Sequence, residues 1–265
     1  MKNVGKISGI IFMSLSILLI VYLSFTLDRK DDIKISVIEL NGDNHLKKDQ
    51  YFKFAGLDKT NEYGKLTLSL IKDRIEKHPY VNYAEVKYEG QNKVTVNIFE
   101  KNIDAILIAE SRQFFITDEL EVIPFLPFTN KVNYPVVSNP FIETDLKNIK
   151  WVNKESDIVT GLKILTTLKL VNPGLYEELS EIDLRIGKDI VLFFSNLDYP
   201  VVVGRNNEIR KTLYLNSLWG YLNGKDVNHY MNYIDLRYNE HVYIGLNSFP
   251  DNKENRASED KESES

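Results

Sequence analysis

The chain has 265 residues, 33 basic and 38 acidic side chains, a formal net charge of −5 and no cysteine. With no basic surplus it has no electrostatic footprint for a phosphate backbone, so nucleic-acid binding is set aside, and without cysteine there is neither a disulfide framework nor a thiol nucleophile. The length exceeds one typical small domain and fits two of moderate size.

The first element is the stretch Ile7 to Leu27, which contains no charged side chain. At the helical rise it covers roughly 30 Å, the thickness of a hydrocarbon core, and it predicts a transmembrane helix. A cleaved signal peptide is the competing reading, but its apolar stretch is shorter and ends in small residues, whereas Ser24-Phe25-Thr26-Leu27-Asp28 offers a poor cleavage site. Lys2 and Lys6 precede the span and Arg29 and Lys30 follow it, so the positive-inside rule is balanced. The long segment after the span sets the orientation: residues 1–6 form a cytoplasmic stub and the bulk of the chain lies outside.

Beyond the charged linker Asp28 to Asp32, Ile33, Ile35 and Val37 alternate with polar neighbours and predict a strand that ends at Asn41-Gly42. A short helix follows from Lys48 to Ala55, closed by Gly56. A second starts at Thr67 as N-cap, places Leu68, Ile71 and Ile75 on one face and stops before Pro79. Two alternating strands, Tyr83–Glu89 and Lys93–Glu100, flank Gly90-Gln91-Asn92 as a hairpin. Strand, helix, helix, strand, strand is an α+β layer arrangement in which two helices cover one sheet face. Val37 to Asn44, Ile75 to Val86 and Lys93 to Glu100 resemble the POTRA domain of the FtsQ/DivIB cell-division family, which here spans 33–103.

Past Ile103 the pattern is strand and turn: Ala105–Ala109, Gln113–Thr117, Val122–Phe125 and Tyr134–Val137, with Pro124, Pro127, Pro135 and Pro140 keeping strands short or at edges. A helix is predicted over Ser156–Leu170, with Asn172-Pro173-Gly174 as its stop. Strands Ser180–Leu184, Ile190–Phe194 and Tyr199–Val203 come next. A helix over Asn207–Leu222 follows, with Asn206 as N-cap and Ile209, Leu213, Leu218 and Leu222 on its apolar side. The segments Tyr233–Arg237 and His241–Gly245 end the folded region. Val202-Val203-Gly204-Arg205 before the helix, and Ile234-Asp235-Leu236-Arg237-Tyr238 after it, resemble the β domain of the same family, over 104–247. That implies a mixed α/β domain with a largely antiparallel sheet. The segment Pro250 to Ser265 carries six acids against three bases and no large apolar residue, and reads as a disordered tail.

Little in the chain points to chemistry. His45, His78, His229 and His241 form no metal-binding spacing, and there is no nucleophile elbow or phosphate-binding glycine loop. Gly204 before a helix is read as a strand-to-helix turn. Asp183, Asp235 and Glu240 could pair as acid and base only by chance convergence. No enzyme activity, metal or cofactor is expected. Tyr221, Tyr230, Tyr233, Tyr238 and Tyr243 crowd the end of the chain, as strand packing or a protein interface requires.

The resemblance implies a bitopic divisome scaffold at the inner membrane of the septum. It would bind two small single-pass coiled-coil proteins, FtsB (or DivIC) and FtsL, besides other divisome proteins, linking early and late division proteins to septal peptidoglycan synthesis. A membrane-anchored cell-wall enzyme and a protein-export accessory are the alternatives. In that family the terminal strands of the β domain bind FtsB, so by matched position Tyr238, Glu240, Val242, Ile244 and Leu246 take that role, with Arg185 through a looser match. The six-residue stub departs from members with a longer cytoplasmic segment.

Overall fold

The computed structural model describes residues 4–27, 34–130, 133–142, 151–153, 156–222, 225–239 and 241–247, and for 4–10, 24–27 and 226 the backbone alone. The chain divides into two compact units, 1–100 and 101–265.

In the first unit, α1 (Val4–Leu27) is one continuous helix whose described side chains, from Ile11 to Leu23, are apolar or small and almost all exposed. The expected span Ile7–Leu27 falls within it. Among the described residues no helix is long and apolar enough to cross a membrane.

The rest of this unit runs β1 (Val37–Asn41), α2 (Lys48–Ala55), a 3-10 turn (Thr60–Lys65), α3 (Leu68–Glu76), β2 (Val81–Gly90) and β3 (Lys93–Glu100). The sheet order is β1-β3-β2, with β1 parallel and β2 antiparallel to β3. Val94, Val96 and Ile98 of the central strand, with Ile38, Leu40 and Ala84 beside them, are buried together with Tyr51, Phe52, Ile71 and Ile75 of the helices. Alternation in the strands and the i, i+4 spacing in α3 therefore meet in one core. Thr67 caps α3 by accepting the Leu70 N–H at 3.2 Å. The first strand begins at Val37 rather than Ile33, because its ladder partner β3 begins at Lys93 opposite Val37; residue 33 lies outside the described residues. Gly42 follows β1 at φ +89, and a Cβ there would stand 2.2 Å from the Ile98 carbonyl oxygen. Glu100 then latches the next loop, accepting the backbone N–H groups of Asn44 and His45 and the Tyr51 hydroxyl. Burial and that carboxylate push the Tyr51 phenol well above its ordinary range.

The second unit contains β4 (Ile103–Ala109), β5 (Arg112–Thr117), β6 (Val122–Pro124), β7 (Val136–Ser138), α4 (Asp157–Val171), α5 (Pro173–Glu178), β8 (Leu179–Asp183), β9 (Val191–Phe194), β10 (Val201–Val202), α6 (Glu208–Leu222), β11 (Met231–Asp235) and β12 (Tyr243–Leu246). The described strands form one sheet in the order β12-β11-β10-β9-β8-β7-β4-β5-β6. Pairs β4/β7, β7/β8 and β10/β11 are parallel and the other five antiparallel, so the sheet is mixed with an antiparallel majority. Its core joins Leu107, Val137, Ile182, Leu192, Val201 and Ile234 of the strands to Ile158, Leu162, Leu165 and Leu168 of α4 and Leu215 of α6.

Two sequence expectations change here. Asn172-Pro173-Gly174 ends α4 but immediately restarts as α5, because Pro173 suits a first helical position and the Asn172 side chain accepts the Leu175 N–H at 3.0 Å. The buried face of α6 is Lys211, Thr212, Leu215 and Leu222, leaving Ile209 and Leu213 exposed. Polar residues take that face because each finds a partner: Lys211 Nζ donates to the Arg205 carbonyl at 3.0 Å and the Thr212 hydroxyl to the Glu208 carbonyl at 2.8 Å. The expected acidic tail lies outside the described residues.

Candidate partner-binding edge

The two motifs of the second unit are neighbours in space. β10 runs parallel to β11 with Val201 beside Ile234 and Val202 beside Asp235, and the ladder extends through Ile234 N–H to Pro200 and Leu236 N–H to Val202. Parallel neighbours need a long crossover connection rather than a tight turn, and here α6 supplies it.

Beyond the paired strands, two arginines fasten the loops at this end of the sheet. Arg205 donates to the carbonyls of Lys188 at 2.6 Å and Leu184 at 2.7 Å and forms a bidentate pair with Asp157, whose carboxylate is 8 % exposed. Arg237 grips Asp235 with two nitrogens and reaches Asp189 with a third at 2.8 Å. The guanidinium hydrogen bonds hold the Asp235 carboxyl below the usual carboxylate range, against the opposing effect of its burial, and the same contacts raise Arg237 further. Gly204, at φ +68, allows this: a Cβ there would stand 2.6 Å from Arg237 Cγ. Val-Val-Gly-Arg and Ile-Asp-Leu-Arg thus interlock as one clasp.

Next to the clasp, β12 pairs antiparallel with β11 and closes the sheet order on that side as an edge strand. Ile244 lies opposite Ile234 and Tyr243 opposite Asp235. Its side chains are not core: Val242, Tyr243, Ile244 and Leu246 are all 39 % or more exposed. Neither face of this strand packs inward, because the described core stops at Met231, Ile234 and Leu236. Tyr238 is 54 % exposed and its ring meets that of Tyr243 edge-on at 4.8 Å. The Tyr233 ring covers Gly245, its cross-strand partner.

The structure thus brings Tyr238, Val242, Ile244 and Leu246 together on one aromatic and aliphatic edge. Glu240 lies outside the described residues. Arg185 sits after β8, where its backbone N–H donates to Asp183 Oδ1 and its side chain reaches the same carboxylate at 3.5 Å. The cross-strand row Asp183, Val191, Val202, Asp235, Tyr243 puts it at the same end of the sheet but roughly 19 Å from β12, four strand spacings away. Tyr233 and Tyr243, which the sequence marks among the tyrosines crowding the chain end without giving them an individual binding role, also lie at this edge, Tyr233 over Gly245 and Tyr243 against Tyr238. Among the described residues, no group of three histidine or acidic side chains could hold a metal ion.

Residues 33–101 match the family model described as POTRA domain, FtsQ-type. The chain is similar to Cell division protein FtsQ of Geotalea daltonii, with 26% identity over 215 residues that cover 80% of this chain and 75% of that protein. It is also similar to Cell division protein DivIB of Clostridium tetani, with 27% identity over 103 residues, 39% of this chain and 38% of that protein.

Proposed function

As a member of the FtsQ/DivIB family of cell-division proteins, this chain is, we propose, a single-pass scaffold that acts by binding. Its apolar helix α1 serves as the membrane anchor, with the N-terminus in the cytoplasm and both folded units outside, at the division septum. The anchor reading is supported by the uncharged run Ile7 to Leu27 and by the exposure of Ile11, Phe12, Leu15 and Leu18, which water does not favour.

The observation that carries the binding role is the exposed β12 edge. An edge strand offers unpaired backbone groups to an incoming strand, and the aromatic pair Tyr238 and Tyr243 beside it supplies contact area with few rotors to freeze. Its partners are FtsB- or DivIC-like and FtsL-like coiled-coil proteins, and the complex helps to control septal peptidoglycan synthesis. Pull-down of the full chain from membranes tests this. The small bitopic partners should come with the wild-type chain and be lost with Tyr238→Ala at unchanged circular dichroism. Full recovery by a folded variant would remove β12 as the binding edge. A fluorescent fusion spread evenly around the envelope, rather than banded at midcell, would sink the division role itself.

A further inference from the structure

The opposite kind of edge occurs in the first unit. β2 is the longest strand of its sheet and is an edge strand, paired with β3 on one side only among the described residues. We propose that this edge is a self-association surface, on which a second copy of the chain adds its own β2 antiparallel in the register centred on Val86.

The argument rests on self-complementarity. A two-fold antiparallel pairing centred on Val86 sets Val86 opposite Val86, Glu85 opposite Lys87 and Lys87 opposite Glu85, and Ala84 opposite Tyr88. Both charged pairs are then of opposite sign, on the solvent face where Glu85 and Lys87 are now exposed and hold each other at 2.9 Å. On the other face the Tyr88 ring, 39 % exposed, stands opposite Ala84, which is already buried in its own unit's core and sets no bulk against the ring. Moving the centre by one residue puts Glu85 opposite Glu85 or Lys87 opposite Lys87, which like-charge repulsion disfavours. The irregularities of β2 lie outside this stretch, between Val81 and Tyr83 and between Tyr88 and Gly90, so the pleat from Ala84 to Tyr88 is regular.

The backbone fits as well. The Ala84 N–H points away from β3, where Glu76 Oε1 accepts it at 2.9 Å. By the two-residue repeat, Val86 and Tyr88 direct their N–H and C=O groups to the same free side, which makes Val86 opposite Val86 a hydrogen-bonded pair. Glu76 acts as a guard on this edge: it occupies one donor that the full ladder uses, so the association is weak and reversible while the guard is in place.

Because the chain has no cysteine, Val86→Cys introduces the only thiol, and a hydrogen-bonded antiparallel pair holds its Cα atoms about 5.5 Å apart, within disulfide range. Full chain carrying Val86→Cys, oxidised in its own membranes, should give a symmetric dimer. Adding Glu85→Lys or Lys87→Glu should each lower that yield at least fivefold. Two differently tagged chains, one with each charge change, should cross-link to each other as well as the parent, since the two basic side chains of one then face the two acidic side chains of the other. Neither single variant keeps the present contact within the strand, so its loss cannot produce that recovery. Glu76→Ala should raise the dimer yield. Absence of the 86–86 cross-link, or a mixed pair no better than either variant alone, overturns the proposal. Coprecipitation of tagged, cysteine-free chains from detergent, expected to follow the same charge pattern, guards against a folding defect of Val86→Cys; equal recovery across all charge combinations overturns it too.

Discussion

The clasp and β12 are neighbours in one sheet, yet they are held by different means. The clasp is fixed from within: Asp157 and Asp235 are buried, and each is answered by a guanidinium that also ties down a second loop. β12 hangs on its ladder with β11 and puts no side chain into the described core. The difference teaches where specificity can reside. Residues such as Arg205 and Gly204 are dictated by folding and cannot also be tuned for a partner. Ile244, Leu246 and Tyr238 are not needed for the core, so they are free to be shaped by what they bind.

The sharpest way to break this contrast is Arg205→Ala. It leaves the Asp157 carboxylate buried without its cation, which costs about 3 kcal/mol. For a unit of this size the melting transition of the second unit should fall by roughly 6–12 °C in calorimetry of the full chain. A transition at the wild-type temperature would mean that the clasp is ornamental. Next comes Gly204→Ala, which forces an L side chain to a left-handed φ against Arg237 Cγ and should cost about 2 kcal/mol. Combined with Arg237→Ala, which deletes the colliding atom, the loss should be less than additive in a double-mutant cycle.

Smaller again is Asp235→Asn, at about 1–2 kcal/mol, the low end for a charged hydrogen bond because the Arg237 head is half exposed. Its pH dependence has a definite sign. The folded carboxyl titrates below its unfolded value, so its contribution is full above about pH 4 and is lost as pH falls through the folded value. The stability gap between wild type and Asp235→Asn should therefore close below about pH 4 and stay constant from there to neutrality. The smallest stability effect belongs to β12: Ile244→Ser should change unfolding by less than about 0.5 kcal/mol, as for an ordinary surface site. Tyr238→Ala should be equally silent in melting while costing about 1–4 kcal/mol of partner binding in titration calorimetry. A melting loss of several degrees for Ile244→Ser would move β12 to the clasp side of the comparison.

The clasp and the edge also differ in how far they can be read from residues alone. In the first unit, Ile71 and Ile75 at helical spacing and Val94, Val96 and Ile98 at strand spacing point to the core they form, because local period and burial agree there. In α6 they disagree. Ile209 and Leu213 look like the apolar face, but Lys211 and Thr212 are buried through hydrogen bonds to carbonyls that no periodicity encodes. The restart at Pro173 was hidden for a related reason, since Asn-Pro-Gly is both a stop and an N-cap with a proline at the first helical position. At the edge, alternation points to a strand at His241–Gly245, which the structure sets at Tyr243–Leu246, but not to its exposure on both faces. That depends on where the helices of the unit run out, a property of the whole layer. The separation of Arg185 from β12 was illegible because strand order is not a sequence property.

The parallel union of β10 and β11 imposes an order of assembly on the second unit. The two strands are joined through the whole of α6 and the turn after it, so Val201 cannot meet Ile234 until that long loop has closed, and such non-local pairings form late. β12 is joined to β11 by a short connection and pairs with it antiparallel, so these two can meet locally before β11 is seated beside β10. Until α6 closes that loop, the side of β11 that faces β10 is the bare one, and it is the side that a stray strand can capture. Gly245 beneath the Tyr233 ring, where a Cβ would collide with that ring, biases the register in which β12 meets β11.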